Sequence, residues 1–356
     1  MGTKRIEFID AMRGFTMLLV VYTHIIILGY YNSGFNDLSF GEGSKLLTFN
    51  SLFLAFRMPL FFFISGFILF KKDFEWTLPA SGKFLLKKAK VQLIPTLFFL
   101  AVYTYIFDLS FTNSLFWPDK GGYWFTIALF EFFLLYALLR TICNILGYKN
   151  GVDWLILTIT VIISVFLRHW FMTAGLHKEP IPSLFGIDKV RYLLFFVIGT
   201  LARKHFDKIQ KFAENGYLVA ACLLFFFGVI IYKLHETHAN SVMPILYLLS
   251  QIVGVMIVFI FFMKNENLFT QETRLGRALQ YVGRRTLDIY LLHYFFLPRN
   301  LGPIAQFFNT YQNPSLEIFV SLIISIMVIC LCLLMSKIIR LSPVLADWLL
   351  GVKKKA

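Results

Sequence analysis

Four ionisable side chains lie inside long apolar stretches of the sequence: His24, Arg57, Glu131 and His293. A polar group inside a membrane helix is costly unless it is paired or hydrated, so each of them needs an explanation. Histidine can take a proton from a hydroxyl, and arginine can stabilise a developing oxyanion. The four residues therefore predict a polar cavity with acid–base chemistry inside an apolar protein.

The first apolar stretch carries one polar stripe. Arg13 and His24 lie eleven residues apart, which places them within roughly 20° of the same helix face, and Asp10 is close enough to Arg13 for an i,i+3 ion pair. Asp10 lies roughly 21 Å from His24 along a straight helix, so it does not orient that imidazole. His24 falls about 20 Å from the cytoplasmic end, in the outer half of the membrane.

Residue counting puts Arg57 and Glu131 at a depth similar to that of His24. We expect Glu131 to approach His24 closely enough for a direct or water-bridged hydrogen bond, since a neutral imidazole base needs an acceptor on its second nitrogen. His293 is a plausible inner neighbour. The alternatives are a purely structural Arg57–Glu131 ion pair, histidines that only bond a neighbouring helix, and an Arg13 that snorkels to headgroups.

The elements that must position these residues are membrane helices. Hydrophobic residues make up 58% of the chain and charged residues only 15%, whereas soluble domains carry about 25% charged residues. The pattern predicts an all-α polytopic membrane protein, a single domain over 1–356 with no appended soluble domain. About ten spans are expected, near 12–30, 48–70, 84–107, 123–142, 152–172, 190–205, 216–233, 243–263, 284–298 and 315–338. The spans near 190–205 and 284–298 are short, which favours buried or tilted helices over lipid-facing ones.

The charge distribution predicts the orientation. Most of the 34 Lys and Arg residues fall in segments that face the cytoplasm if both termini are cytoplasmic, so the positive-inside rule favours that topology. The net charge of +14 comes from short clusters between apolar runs, which argues against a nucleic-acid partner. One basic loop, between the second and third predicted helices, suits either anionic membrane lipid or a phosphorylated cofactor; it holds Lys71, Lys72, Lys83, Lys87, Lys88 and Lys90. The last three are called the lysine cluster below. The four cysteines show no spacing typical of a metal site, and no metal is expected.

Several motifs resemble the acyltransferase-3 family of integral membrane O-acyltransferases, including its fucose O-acetylase-like members. The first motif is the stretch 5–14 with His24 eleven residues after Arg13. The others are the stretch 57–67, Tyr123-Trp124-Phe125, the stretch 195–199, and 281–283 continuing to 289–293. They follow the family order over nearly the whole chain.

The resemblance implies a ten-helix enzyme that takes an acyl group, usually acetyl, from cytosolic acyl-CoA and delivers it to a carbohydrate hydroxyl at or beyond the outer face. It also implies that Arg13 and His24 are the essential pair. The sequence departs from the family before Pro95, where Val91 and Gln92 stand in place of common arginines. Lysine can bind phosphate there, but without the bidentate fork of arginine.

We therefore interpret His24 as the general base, Glu131 as its orienting partner and Arg57 as an oxyanion donor. Arg13 and the lysine cluster would hold the acyl-CoA donor, and supporting roles are predicted for Asp10, Ser65, Trp124, Tyr290 and His293. The protein would lie in the cytoplasmic (inner) membrane as a multi-pass protein, in contact with lipid and a carbohydrate acceptor. Succinyl or longer acyl groups are alternatives to acetyl, and transfer through an acyl-histidine is an alternative to direct transfer. The alternative function is a carrier or flippase for glycans or lipid-linked sugars.

Overall fold

The described part of the chain is built from α-helices, with short π- and 3₁₀-helical segments and no strand. A computed structural model describes residues 6–30, 49–148, 150–235, 242–311 and 313–351. The helices are α1 (Glu7–His24), α2 (Phe49–Leu69), α3 (Leu78–Lys88), α4 (Ile94–Ile106), α5 (Phe111–Phe116), α6 (Trp124–Ile145), α7 (Val152–Val161), α8 (Arg168–Thr173), α9 (Pro180–Leu184), α10 (Leu193–Lys204), α11 (Phe206–Glu214), α12 (Gly216–His235), α13 (Met243–Lys264), α14 (Arg274–Gly283), α15 (Thr286–Phe296), α16 (Gly302–Tyr311), α17 (Pro314–Ile339) and α18 (Pro343–Leu350). The predicted all-α fold class is confirmed.

Among the described residues, eight helical stretches are long and apolar enough to cross a membrane. They are Glu7–Tyr30, Leu52–Leu69, Leu78–Ile106, Trp124–Ile145, Val152–Thr173, Gly216–Lys233, Met243–Lys264 and Ser315–Ile339. Each matches one of the ten predicted spans within a few residues. The chain is thus a multi-pass membrane protein. Both termini lie outside the described residues, so their cytoplasmic location stays a prediction.

The two remaining predicted spans are present as the short helices α10 and α15. They have 12 and 11 residues, and most of their side chains are buried. At a rise of 1.5 Å per residue, each of these α-helices by itself is shorter than a hydrocarbon core of about 30 Å. The expectation that these segments are buried is confirmed.

Three membrane stretches contain a π-helical segment. Ile25–Tyr30 directly follows α1, Ala89–Leu93 joins α3 to α4, and Ile162–Leu167 joins α7 to α8. Such widened turns release backbone groups from the regular α-helical pattern and are frequent at functional sites. The first begins immediately after His24, and the second contains Lys90.

The chain packs as two compact units, each made of separate stretches of sequence. Unit 1 consists of 1–61 and 205–334, and unit 2 of 62–204 and 335–356. The sites described below belong to one unit or the other. The prediction of a single membrane domain over the whole chain stays a prediction.

Unit 1 is organised by a close crossing of α1 and α14. A Cβ added to Gly14 would lie 2.0 Å from the carbonyl oxygen of Leu279, and one added to Gly283 would lie 1.8 Å from that of Asp10. Only glycine allows two helix backbones to approach this closely. Gly66 and Gly199 make the equivalent crossing between α2 and α10 within unit 2. The glycines of four sequence motifs therefore have a packing role.

Candidate functional site

The centre of the candidate site in unit 1 is a pair of histidines from α1 and α15. His24 Nδ1 lies 2.9 Å from His293 Nε2, and the two rings are stacked with a centroid separation of 5.0 Å. His24 is half-buried at the end of α1, whereas His293 is completely buried. Sequence reasoning treated His293 only as a plausible neighbour, and the structure makes it the direct partner of His24.

The contacts of His293 assign the proton positions on both rings. His293 Nδ1 lies 2.8 Å from the carbonyl oxygen of Tyr290 and 3.1 Å from that of Ile289. A carbonyl only accepts, so His293 Nδ1 carries the proton. Burial favours the neutral ring, in which Nε2 is an acceptor. His24 Nδ1–H therefore donates to His293, and the basic lone pair of His24 is on Nε2.

The hydroxyl of Tyr294 lies at that lone pair. Its oxygen is 3.3 Å from His24 Nε2, and its ring is 4.0 Å from the His293 ring by centroid distance. With the tautomers assigned above, Tyr294 donates to His24. The hydroxyl marks the position that an acceptor hydroxyl would have to occupy for proton transfer to His24.

Arg57 from α2 belongs to the same environment. Its guanidinium interacts electrostatically with the His24 imidazole within unit 1. A cation beside the base is suited to stabilising the oxyanion that forms at an attacked carbonyl. The similar depth of Arg57 and His24 and the oxyanion role of Arg57 stay predictions.

Arg13 joins α1 to the first residue of α15. Its Nη2 donates to Thr286 Oγ1 at 2.7 Å, and its Nη1 lies 3.8 Å from Asp10 Oδ1. The ion pair between Asp10 and Arg13 is the one that the helix spacing predicts. Arg13 pairs with the start of α15 and His24 with a residue near its end, so α1 and α15 run in the same direction.

Glu131 lies in unit 2, whereas His24 belongs to unit 1. It is on α6, where the ammonium group of Lys120 and the carboxylate of Asp188 are its electrostatic neighbours. Gly186, with φ +54°, approaches the carboxylate so closely that an added Cβ would lie 3.1 Å from Glu131 Oε2. The expected approach of Glu131 to His24 stays a prediction.

Lys120 is a buried lysine that sequence reasoning missed. It is only 1% exposed, and its ammonium donates to the carbonyl oxygens of Ser183 at 2.8 Å and Leu115 at 3.1 Å. Burial lowers the pKa of Lys120, and the carboxylates of Glu131 and Asp188 oppose this effect. Its position directly before the matched Tyr123-Trp124-Phe125 motif, in the sequence Asp-Lys-Gly-Gly, was the available signal.

A second cation, Lys189, lies beside the group formed by Glu131, Lys120 and Asp188, which is called the cluster below. It pairs with Asp188 at 2.7 Å and with Asp119 at 3.0 Å, and its ammonium lies 5.0 Å from the centroid of the Trp124 ring. Burial lowers the pKa of Lys189, but the bonds to Asp188 and Asp119 outweigh burial and raise it overall. Trp124, for which a supporting role was predicted, stacks on Tyr192 and forms the wall of the cluster.

Unit 2 also contains a basic pocket of about 280 Å³. Three lysines line it, Lys71, Lys87 and Lys88, together with Ser65 and an aromatic group. That group consists of Phe74, Trp76 and Phe84, whose rings meet edge to face. Lysine side chains beside aromatic rings suit a ligand that carries both phosphate and a flat heterocycle.

The predicted lysine cluster is divided by the structure. Lys87 and Lys88 line the pocket, whereas Lys90 pairs with Asp347 at 3.0 Å. Gln92, at a position where the family commonly has arginine, is buried and donates to the carbonyl oxygen of Thr126 at 2.6 Å. Lys71 also lines the pocket. The sequence placed it in the same basic loop but did not assign it to the donor.

No group of three or more His, Cys, Asp or Glu side chains is arranged to hold a metal ion among the residues described. Tyr290, with a predicted supporting role, is buried and contributes through its carbonyl oxygen, which accepts from His293. Thr286 and Tyr294 were not predicted. Both lie on α15, and their partners on α1 are 270 or more residues away in sequence.

Comparison with known proteins supports the reading of the motifs. The family model for the acyltransferase-3 domain matches residues 6–337. Glucans biosynthesis protein C of Escherichia coli strain SMS-3-5 is 23% identical over 344 residues, which cover 87% of this chain and 85% of the relative. The protein of the same name from Shigella dysenteriae serotype 1 is 23% identical over 345 residues, with the same coverage. No solved structure matches the chain.

Proposed function

The chain belongs to the acyltransferase-3 family, and from that premise we propose that it transfers an acyl group, acetyl in the first instance, from cytosolic acyl-CoA to a hydroxyl of a cell-surface or exported carbohydrate. The membrane in question would be the cytoplasmic membrane, because the donor is cytosolic and the acceptor lies outside. The names of these relatives concern glucan biosynthesis, which supports a glucan as the class of acceptor.

The observation that carries this proposal is the His24–His293 hydrogen bond. It leaves a neutral imidazole with its lone pair on Nε2, next to a tyrosine hydroxyl and within the field of Arg57. A general base for a hydroxyl acceptor needs this protonation state, with the second nitrogen held by an acceptor. A carrier would not require an oriented base.

Acyl transfer by these residues would proceed as follows. His24 Nε2 takes the proton of the acceptor hydroxyl as its oxygen attacks the thioester carbonyl. Arg57 stabilises the resulting tetrahedral oxyanion. When the carbon–sulfur bond breaks, His24 returns the proton to the leaving thiolate, which gives the ester and free CoA. In a two-step route, His24 Nε2 would carry the acyl group before the hydroxyl attacks.

The donor would be held by the basic pocket of unit 2. Lys71, Lys87 and Lys88 supply point charges for phosphate groups, and the neighbouring aromatic side chains offer a surface for the adenine ring. The donor-binding role predicted for Arg13, in unit 1, is kept as a separate proposal, because its side chain is 29% exposed despite the bonds to Asp10 and Thr286. Lysines would then serve where the family commonly uses arginine.

The test is acyl transfer by purified protein in lipid nanodiscs. Acetyl-CoA and succinyl-CoA are supplied separately, with and without a glucan oligosaccharide, and both free CoA and acylated product are measured. We expect slow release of CoA without acceptor, faster release with it, and loss of both in His24→Ala. An intact protein that releases no CoA from either donor would contradict the proposal and favour the carrier.

A further inference from the structure

Three buried polar atoms without a hydrogen bond lie in one region of unit 2, in the segment that leads into α10. They are Ser183 Oγ, Asp188 Oδ1 and Arg191 Nε, and none of them finds a partner among the described residues. Ser183 is completely buried. Buried polar atoms are paired in the great majority of cases, so exceptions that occur together require an explanation, and a bound ligand is the one pursued below.

The cluster around Glu131 and Lys120 adjoins these atoms. The backbone carbonyl of Ser183 accepts from Lys120, and Asp188 interacts electrostatically with both Lys120 and Glu131. Gly186 lies between Ser183 and Asp188 in sequence and against the Glu131 carboxylate. That carboxylate has no hydrogen bond to any of the described residues. The same region thus presents acceptors from two carboxylates and a serine hydroxyl.

Two arginines and two aromatic rings hold the region in place. Arg168 Nε donates to the carbonyl oxygen of Asp188 at 3.2 Å, and Arg191 Nη2 donates to the hydroxyl of Tyr192 at 2.8 Å. Tyr192 stacks on Trp124 with a centroid separation of 5.7 Å. The polar atoms are therefore fixed by rigid neighbours, which limits the entropy lost when a ligand binds.

The mixture of charges identifies the chemistry of the ligand. An anion would meet the carboxylates of Glu131 and Asp188, and a metal cation would meet the positive charges of Lys120 and Arg191. A neutral polyhydroxylated ligand avoids both conflicts. Each sugar hydroxyl can donate to a carboxylate and accept from a guanidinium or hydroxyl at the same time.

We propose that this region is a saccharide-binding subsite for the acceptor, formed by Ser183, Asp188, Arg191 and Glu131 of unit 2. The inference rests on the proposed function, since it names the place where that function's acceptor is recognised. The orientation predicted from the charge pattern puts the start of α6, and with it this subsite, on the outer side of the membrane. A carbohydrate acceptor would be present there.

Ser183→Ala gives this subsite a distinctive signature. Removing a buried hydroxyl that has no partner within the protein should leave thermal stability unchanged or raise it. The same change removes a hydrogen bond to the ligand, so we expect the dissociation constant for a saccharide to rise by about 5- to 30-fold. A residue with a purely structural role would not combine these two effects.

The experiment measures binding of maltohexaose and laminarihexaose to the full-length protein in nanodiscs by calorimetry. Wild type, Ser183→Ala and Asp188→Asn are compared with Thr160→Val as the matched control, because Thr160 also carries a buried hydroxyl without a partner but lies elsewhere, on α7. We expect weaker binding in the first two variants only. Hydrolysis of acetyl-CoA without saccharide is measured in parallel, and Thr160→Val should match wild type in both assays.

The outcomes separate the subsite from the proposed function. If Ser183→Ala and Asp188→Asn bind both hexasaccharides as tightly as wild type, or if wild type binds neither, the subsite is refuted whether or not acetyl-CoA is hydrolysed. If wild type binds a hexasaccharide and these two variants bind it weakly while no acetyl-CoA is hydrolysed, the subsite stands and the proposed acyl transfer fails.

Discussion

Arg13 on α1 donates a 2.7 Å hydrogen bond to Thr286, the first residue of α15. This bond fixes the start of α15 against α1, and the same two helices bring His293 to His24 further along. Because both helices run in the same direction, a shift at the Arg13 end would displace the histidine pair at the other.

We predict that Thr286→Val lowers kcat roughly tenfold, as expected for the loss of a hydrogen bond to a charged group. Steady-state kinetics with acetyl-CoA provide the measurement. Thr286→Ser keeps the hydroxyl and serves as the control. A rise in the donor KM with unchanged kcat would contradict a role in aligning the helices and would favour donor binding by Arg13.

His293→Ala should lower kcat about 10- to 100-fold, because His24 loses the acceptor that holds its tautomer. His293→Gln should keep more activity, since its side-chain oxygen can accept from His24 Nδ1. The comparison is made at several pH values in nanodiscs. Equal activity in the two variants would show that hydrogen bonding at His293 does not matter for transfer.

Glu131→Gln tests the predicted approach of Glu131 to His24. If both Glu131 and His293 act on His24, the effects on kcat of Glu131→Gln and His293→Ala should be non-additive in a double-mutant cycle. Additive effects on kcat would contradict the predicted approach of Glu131 to His24. The described electrostatic neighbours of Glu131 would then be Lys120 and Asp188 only.

Charge reversal of the pocket residues Lys87 and Lys88 should raise the KM for acyl-CoA. It should also flatten the dependence of that KM on salt, because screened cation–phosphate attraction is lost. Lys83→Glu is the matched control: Lys83 is exposed on the same helix but does not line the pocket. An equal change in the control would point to membrane-surface charge instead of a donor site.

Lys90→Ala completes this series, since Lys90 is paired with Asp347. We expect it to change the donor KM less than either pocket lysine does. If the donor KM of Lys90→Ala is as high as that of the Lys87 and Lys88 charge-reversal variant, Lys90 takes part in donor binding, as the sequence predicts.

Gly14→Ala and Gly283→Ala should each destabilise the protein by about 3 kcal/mol, because the added Cβ would meet a backbone carbonyl that cannot move alone. Thermal unfolding in detergent provides the measurement. Gly82→Ala is the control: nothing lies within 4 Å of its added Cβ, so about 0.4–1 kcal/mol of stabilisation is expected. Wild-type stability in the first two variants would refute the tight crossing.

The amino-acid sequence by itself determined the class of the protein and much of its local geometry. Apolar runs of about 20 residues can only be helices in lipid, because every backbone polar group must be bonded within the segment. The helical repeat likewise determined the Asp10–Arg13 ion pair, since residues three apart on a helix are neighbours. The first motif, with His24, and the stretch 57–67 together were enough to identify the family.

Only the tertiary structure decided which distant residues meet. His24 and His293 are 269 residues apart, and Lys120 bonds to the carbonyl of Ser183, 63 residues away. Depth counting left several residues at similar levels, because helix boundaries shift by a few residues and the count carries no information on which helices are neighbours. The close glycine crossings remove part of this ambiguity, since they bring α1 against α14 and α2 against α10 in backbone contact.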